Sequence, residues 1–133
     1  MSGVSDLVKL LKKTGIPMNE SIIEALLSTE PSDFTDFPLE SFWQDYPVPF
    51  LVTDAGVTKT ISAPHMIATM LHHLELRSGL HVVMMGSKGG YLATLIDKIC
   101  GPSPCLRFQR SRYDTYLRHM HTMARRLVCR RAS

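Results

Sequence analysis

The residues best suited to chemistry lie between Gly56 and Tyr91, in GVTKTISAPHMIATMLHHLELRSGLHVVMMGSKGGY. Two groups stand out there. The first is Thr60-Ile61-Ser62-Ala63-Pro64-His65-Met66, a run that opens a helix. A helix start offers oriented N–H groups to a carboxylate, and the Ser62 hydroxyl adds a donor beside it. The second is Gly86-Ser87-Lys88-Gly89-Gly90, which follows the short apolar strand His81 to Met85 and precedes a helix beginning at Tyr91. Strand, glycine turn and helix in that order is how many α/β folds hold a nucleotide-like ligand. Both groups also have plain structural uses. Ser62 stands where an N-cap or its flanking residue would stand, any tight βα turn favours glycine, and a His such as His65 in a first helical turn is as often only partly exposed.

The elements that must position these groups can be read in order. Val4, Leu7, Val8 and Leu11 recur at helical spacing, with Ser5 and Asp6 at the start and Thr14-Gly15 as a stop. Asn19 caps a second helix with Ile22, Ile23, Leu26 and Leu27 on its apolar face, ended by Pro31. Residues 31–58 read as loop, broken by Pro31, Pro38, Pro47 and Pro49 and crowded with Phe34, Phe37, Phe42, Trp43, Tyr46 and Phe50. A long loop must bury something to be ordered, so packing is favoured over ligand recognition for these rings. Phe50 to Thr53 reads as a short strand. The helix Ala63 to Leu76 carries Met66, Ile67, Met70, Leu71 and Leu74 as one apolar stripe, with Pro64 in its first turn. Leu92, Leu95, Ile96 and Ile99 give the helix Tyr91 to Cys100 its face, and Cys105 to Phe108 reads as the next strand, with Arg112 to Leu127 as its helix.

TISAPHM closely resembles the signature of protein-L-isoaspartate O-methyltransferases, which use S-adenosylmethionine to methylate isoaspartyl residues in damaged proteins. Gly56 and Val57 fit the Gly-x-Gly-Gln that precedes it in that family, while Thr58 and Lys59 replace the second Gly and the Gln. Of the acidic residue and Gly-x-Gly-x-Gly that follow the family's first strand, Gly86, Gly90 and then Tyr91 fit; Met84 takes the acidic place and Lys88 that of the middle glycine. Gln109 or Arg110 stands where the family's second strand ends in a ribose-binding acid. The resemblance covers about residues 4–101 well and 102–127 poorly.

The resemblance implies an α/β chain with an incomplete Rossmann-like methyltransferase fold: N-terminal helices and the first βαβ unit. It also implies S-adenosylmethionine as cofactor and isoaspartyl peptides and proteins as partners. Ser62 is the implied catalytic residue, as a hydrogen-bond donor that orients the acceptor. Thr60, Ile61, His65, Gly86, Ser87, Gly90 and Gln109 are the implied cofactor-binding residues.

Composition bounds the rest. At 133 residues the chain is one domain, organised as N-terminal helices and aromatic loop (1–58), motif helix and glycine turn (59–101) and an Arg-rich end (102–133). No run of about 18 apolar residues would span a membrane, and the polar, amphipathic start lacks the apolar core of a signal peptide, so a cytoplasmic location is expected. Cys100, Cys105 and Cys129 form neither a disulfide framework nor a zinc pattern, and no metal site is expected from the histidines. The net charge of +3 is unevenly spread: −4 over residues 1–101 and +7 over residues 102–133, where eight Arg meet one Asp. That end admits a solvated helix face, a nucleic-acid patch, or sequence foreign to the family. The competing expectation is therefore a non-catalytic module that binds a protein partner or nucleic acid through it.

Overall fold

The computed structural model describes residues 3–85, 89–101 and 107–109. Its N-terminal part is a helical pair. Helix α1, Val4–Lys13, buries Leu7, Val8 and Leu11, and its C-terminal carbonyls are closed by Gly15 at φ +79°, whose N–H reaches Lys12 O (3.1 Å) while Ile16 N–H reaches Leu11 O (3.1 Å). This left-handed turn, usual for glycine, satisfies carbonyls that a helix end would otherwise leave unpaired. Helix α2, Glu20–Leu27, starts at Asn19, whose side-chain oxygen accepts from Ile22 N–H at 2.9 Å. Asn19→Ala should lower stability by about 1 kcal/mol in a urea titration, leaving its slope unchanged. Ile22, Ala25 and Leu26 are buried, whereas Leu27, expected on the same face, is 46% exposed.

The proline-rich stretch is more structured than its composition suggests. After a 3-10 turn at Pro31–Asp33 it forms the short helix α3, Glu40–Trp43, and then strand β1, Val48–Val52. β1 pairs antiparallel with β2, Thr58–Ile61, with an irregularity between Pro49 and Leu51. Thr60 and Ile61 are thus the end of a strand and not the opening of a helix. The alternation of β-branched residues in TKTI accounts for it. The expected packing role of the rings holds for Phe42 and Phe50, each 1% exposed; Phe34 and Trp43 pack against the core, and Tyr46 is 60% exposed.

Helix α4, Pro64–His73, is shorter at both ends than the Ala63 to Leu76 expected. Leu74 is its C-cap and Glu75 turns left-handed at φ +49°, which stops the helix before Leu76. Only part of its apolar stripe is covered: Ile67 and Leu71 are buried with Ala68, while Met66, Met70 and Leu74 are 46, 38 and 55% exposed.

Strand β3, Val83–Met85, and strand β4, Arg107–Gln109, pair in parallel, Val83 with Arg107 and Met85 with Gln109. Helix α5, Tyr91–Cys100, lies between them in the chain and is the crossover that parallel strands require. It packs chiefly on α2. Lys98 Nζ donates to Ser28 O at 2.6 Å and so serves a carbonyl at the end of α2; desolvation lowers its pKa against the opposing pull of Asp33. Cys100 ends α5 as a buried free thiol, 2% exposed, whereas Cys105 and Cys129 lie outside the described residues. Among the described residues no helix is long and apolar enough to cross a membrane.

Candidate functional site

The TISAPHM run straddles a junction. Thr60 and Ile61 close β2, opposite Pro49 and Val48; Ile61 is buried and Thr60 exposed. Ser62 is exposed in the link, Ala63 occupies the N-cap position with no side-chain cap, and Pro64 begins α4, where its missing N–H costs nothing. Of the two places open to Ser62, N-cap or flanking residue, it takes the second, so it does not cap the helix.

The cap comes from elsewhere. The Asp45 carboxylate accepts the backbone N–H of His65 at 2.7 Å, and His65 Nδ1 lies 3.0 and 3.1 Å from its two oxygens. Met66 N–H bonds back to Ala63 O at 3.0 Å. With Pro64 lacking a donor, the leading N–H groups of α4 are committed to the chain itself, so the helix start does not wait for an incoming carboxylate. Asp45's negative charge complements the positive end of the helix dipole there. The polar group this arrangement leaves facing outward in the link is the Ser62 hydroxyl.

The second group sits at the carboxyl end of the parallel pair. Met85 and Gln109 are register partners, so the carboxyl ends of β3 and β4 lie side by side. Gly86, Ser87 and Lys88 of that turn lie outside the described residues. Gly89 and Gly90 are left-handed, at φ +75° and +87°, and Gly90 is the N-cap of α5 without a side-chain cap. Gly89 is closely embraced: a Cβ there would stand 2.9 Å from Phe50 Cε1 and 3.2 Å from Cδ1. The turn is thereby seated on β1. A helix start at the carboxyl ends of parallel strands, without a side-chain cap among the described residues, has N–H groups for a polar ligand, whereas Gly89 and Gly90 are themselves buried and the left-handed turn they make serves the packing on Phe50. It is this helix start after a parallel strand, and not the surface of the two glycines, that fits a nucleoside-type cofactor. Gln109 is placed by backbone register alone, and apart from β4 the Arg-rich end, with its nucleic-acid reading, falls outside the described residues.

Beneath the turn, Tyr91 is fully buried among Phe34, Phe42 and Phe50, with ring centroids 5.8, 6.1 and 6.3 Å away. Its hydroxyl has no hydrogen-bond partner among the described residues. Burial, with the negative charge of Glu30 as a smaller cause, pushes its pKa far above the ordinary tyrosine value. Neither the role of Asp45 nor the depth of Tyr91 shows in the sequence. Asp45 carries no local signal for its role, since its target lies 20 residues on.

Comparison with known proteins adds relatives to this geometry. A family model described as protein-L-isoaspartate(D-aspartate) O-methyltransferase matches residues 2–110. A protein-L-isoaspartate O-methyltransferase of Methanococcus maripaludis is 31% identical over 104 residues, covering 77% of this chain and 47% of its own length. The wheat (Triticum aestivum) protein of that name is 36% identical over 100 residues, 72% of this chain and 40% of its own. The chain spans less than half the length of these curated relatives. Among solved structures, a protein-L-isoaspartate O-methyltransferase superposes with TM-score 0.68 at 23% identity, over 96% of this chain and 38% of that one. A Plasmodium falciparum structure titled as such an enzyme in complex with S-adenosyl-L-homocysteine gives 0.56 at 30%, over 73% and 41%. The fold is accordingly a partial Rossmann-like α/β fold, with β3, α5 and β4 as its parallel unit.

Proposed function

Because the chain belongs to the protein-L-isoaspartate(D-aspartate) O-methyltransferase family, we propose that it takes part in methyl transfer from S-adenosylmethionine to isoaspartyl carboxylates of damaged proteins. The single observation that carries this reading is the TISAPHM run, placed between β2 and α4 in a chain whose glycine turn leads into α5. The cofactor would be held by Gly90 and its neighbours Gly86 and Ser87, by Gln109 at the end of β4, and by Thr60, Ile61 and His65 at the junction. When bound, it supplies a methyl group on a positively charged sulfonium.

The demands on the protein's own residues are modest. A carboxylate is already a nucleophile at neutral pH, so no base is needed to create one; placement is the requirement. Ser62, exposed in the link, donates a hydrogen bond that orients the acceptor oxygen. The N–H of His65 is taken by Asp45, so this hydroxyl, and not the helix end, does the orienting. The family description and the named relatives support the substrate class, and the free thiol of Cys100 suits a cytoplasmic setting for such repair.

Incubation with radiolabelled S-adenosylmethionine and an isoaspartyl peptide should incorporate label above that seen with the matching aspartyl peptide. Ser62→Ala should lower the rate about tenfold, the loss of one hydrogen bond to a charged group. No incorporation by the wild-type chain would overturn the proposal, and an undiminished rate in the variant would remove Ser62 from its role.

A further inference from the structure

Asp45 occupies a backbone position that a glycine normally fills. It follows α3 at φ +70°, its N–H bonds to Phe42 O at 3.0 Å, and Tyr46 N–H bonds to Ser41 O at 2.9 Å. This is the two-bond closure of a helix C-terminus in which glycine is usual, because a side chain disfavours the left-handed region. A strained residue that persists is held by something else, and here that is its carboxylate. One oxygen accepts from both His65 N–H and His65 Nδ1, and the second oxygen lies 3.1 Å from the same ring nitrogen. The pair is partly shielded, with Asp45 21% and His65 45% exposed, so the imidazole is held on one side and open on the other.

We infer that Asp45 is a positioning residue for cofactor binding: it fixes His65 in the Nδ1–H tautomer, so that Nε2 accepts a hydrogen bond from a hydroxyl or ammonium donor of S-adenosylmethionine. The chemistry requires the first half. A carboxylate only accepts, so a ring nitrogen held against it carries the proton, and in a neutral imidazole the other nitrogen is then an acceptor. The two contacts to one residue fix the ring's orientation as well as its tautomer, as an outer hydrogen bond does for a ligating histidine. The second half rests on the function proposed above, which places His65 at the cofactor junction.

The test uses two readouts. With 15N-labelled protein at a pH well above the ordinary histidine value of about 6.5, long-range 1H–15N spectra of the ligand-free chain should show His65 protonated on Nδ1. In Asp45→Asn, which tolerates the left-handed backbone but cannot offer two acceptor oxygens, this form should no longer dominate. Asp45→Gly, which suits that backbone and removes the acceptor altogether, should behave likewise while unfolding as cooperatively as the wild type. In parallel, titration with S-adenosylhomocysteine should give a Kd about tenfold higher for both variants than for the wild type. A wild-type His65 protonated on Nε2 overturns the inference whatever the titration gives. A changed tautomer with unchanged affinity overturns it too. Failure of the wild-type chain to bind S-adenosylhomocysteine overturns the cofactor reading and with it the assigned ligand, and is told apart by the imidazole spectrum, which needs no ligand.

Discussion

Gly89→Ala should destabilise the chain by about 2–5 kcal/mol, the sum of a left-handed backbone forced on an L side chain and a collision in the core. The backbone part comes from φ +75°. The collision comes from Phe50, whose Cε1 would lie 2.9 Å from the new methyl. That ring has nowhere to go: it is 1% exposed and packs on Tyr91 at 6.3 Å. Gly79→Ala is the matching control, because Gly79 has φ +83° and nothing within 4 Å of an added Cβ, so it bears the backbone cost alone. Urea midpoints at equal slope measure both. Equal losses in the two variants would show that the glycine turn is not seated on Phe50.

Tyr91→Phe should do the reverse and stabilise by about 1–3 kcal/mol, since it deletes a buried hydroxyl that lacks a partner among the described residues and leaves the ring in place. The two proteins should diverge further in alkali. Burial first and Glu30 second hold the Tyr91 proton on the folded chain, while the unfolded chain gives it up near the ordinary value of about 10. Above that pH the native state binds more protons than the unfolded one. Stability is therefore full below about pH 10 and falls with rising pH by up to ~1.4 kcal/mol per unit. Denaturation midpoints followed from neutrality into alkali should show this slope in the wild type and its loss in Tyr91→Phe. Parallel curves would mean that the hydroxyl finds a partner.

What could be read from the sequence was local. Asn19, Thr14-Gly15 and Pro64 act within a turn or two of themselves, and the helices they bound, α1, α2 and α4, are where the periodicity placed them to within a few residues. The parallel pairing of β3 with β4 also matched, carried by the strand, glycine turn and helix order. Thr60-Ile61 reads as helix because Pro64 signals a helix so strongly that the end of the strand before it is absorbed into the same element. Asp45 was invisible for a different reason: its meaning lies in a contact made across the β1–β2 hairpin, and nothing in Gln44-Asp45-Tyr46 announces it. Tyr91 reads as a family match and a helix start; only the convergence of Phe34, Phe42 and Phe50 reveals that it is also a centre of the core.

Cys100 gives the fold a clock. Burial, with Asp97 adding to it, raises its pKa and keeps the sulfur in its unreactive protonated form. Alkylating reagents and oxidants, which attack the thiolate, must then wait for the last turn of α5 to come loose, so the speed of modification at this one atom reports how often that turn opens.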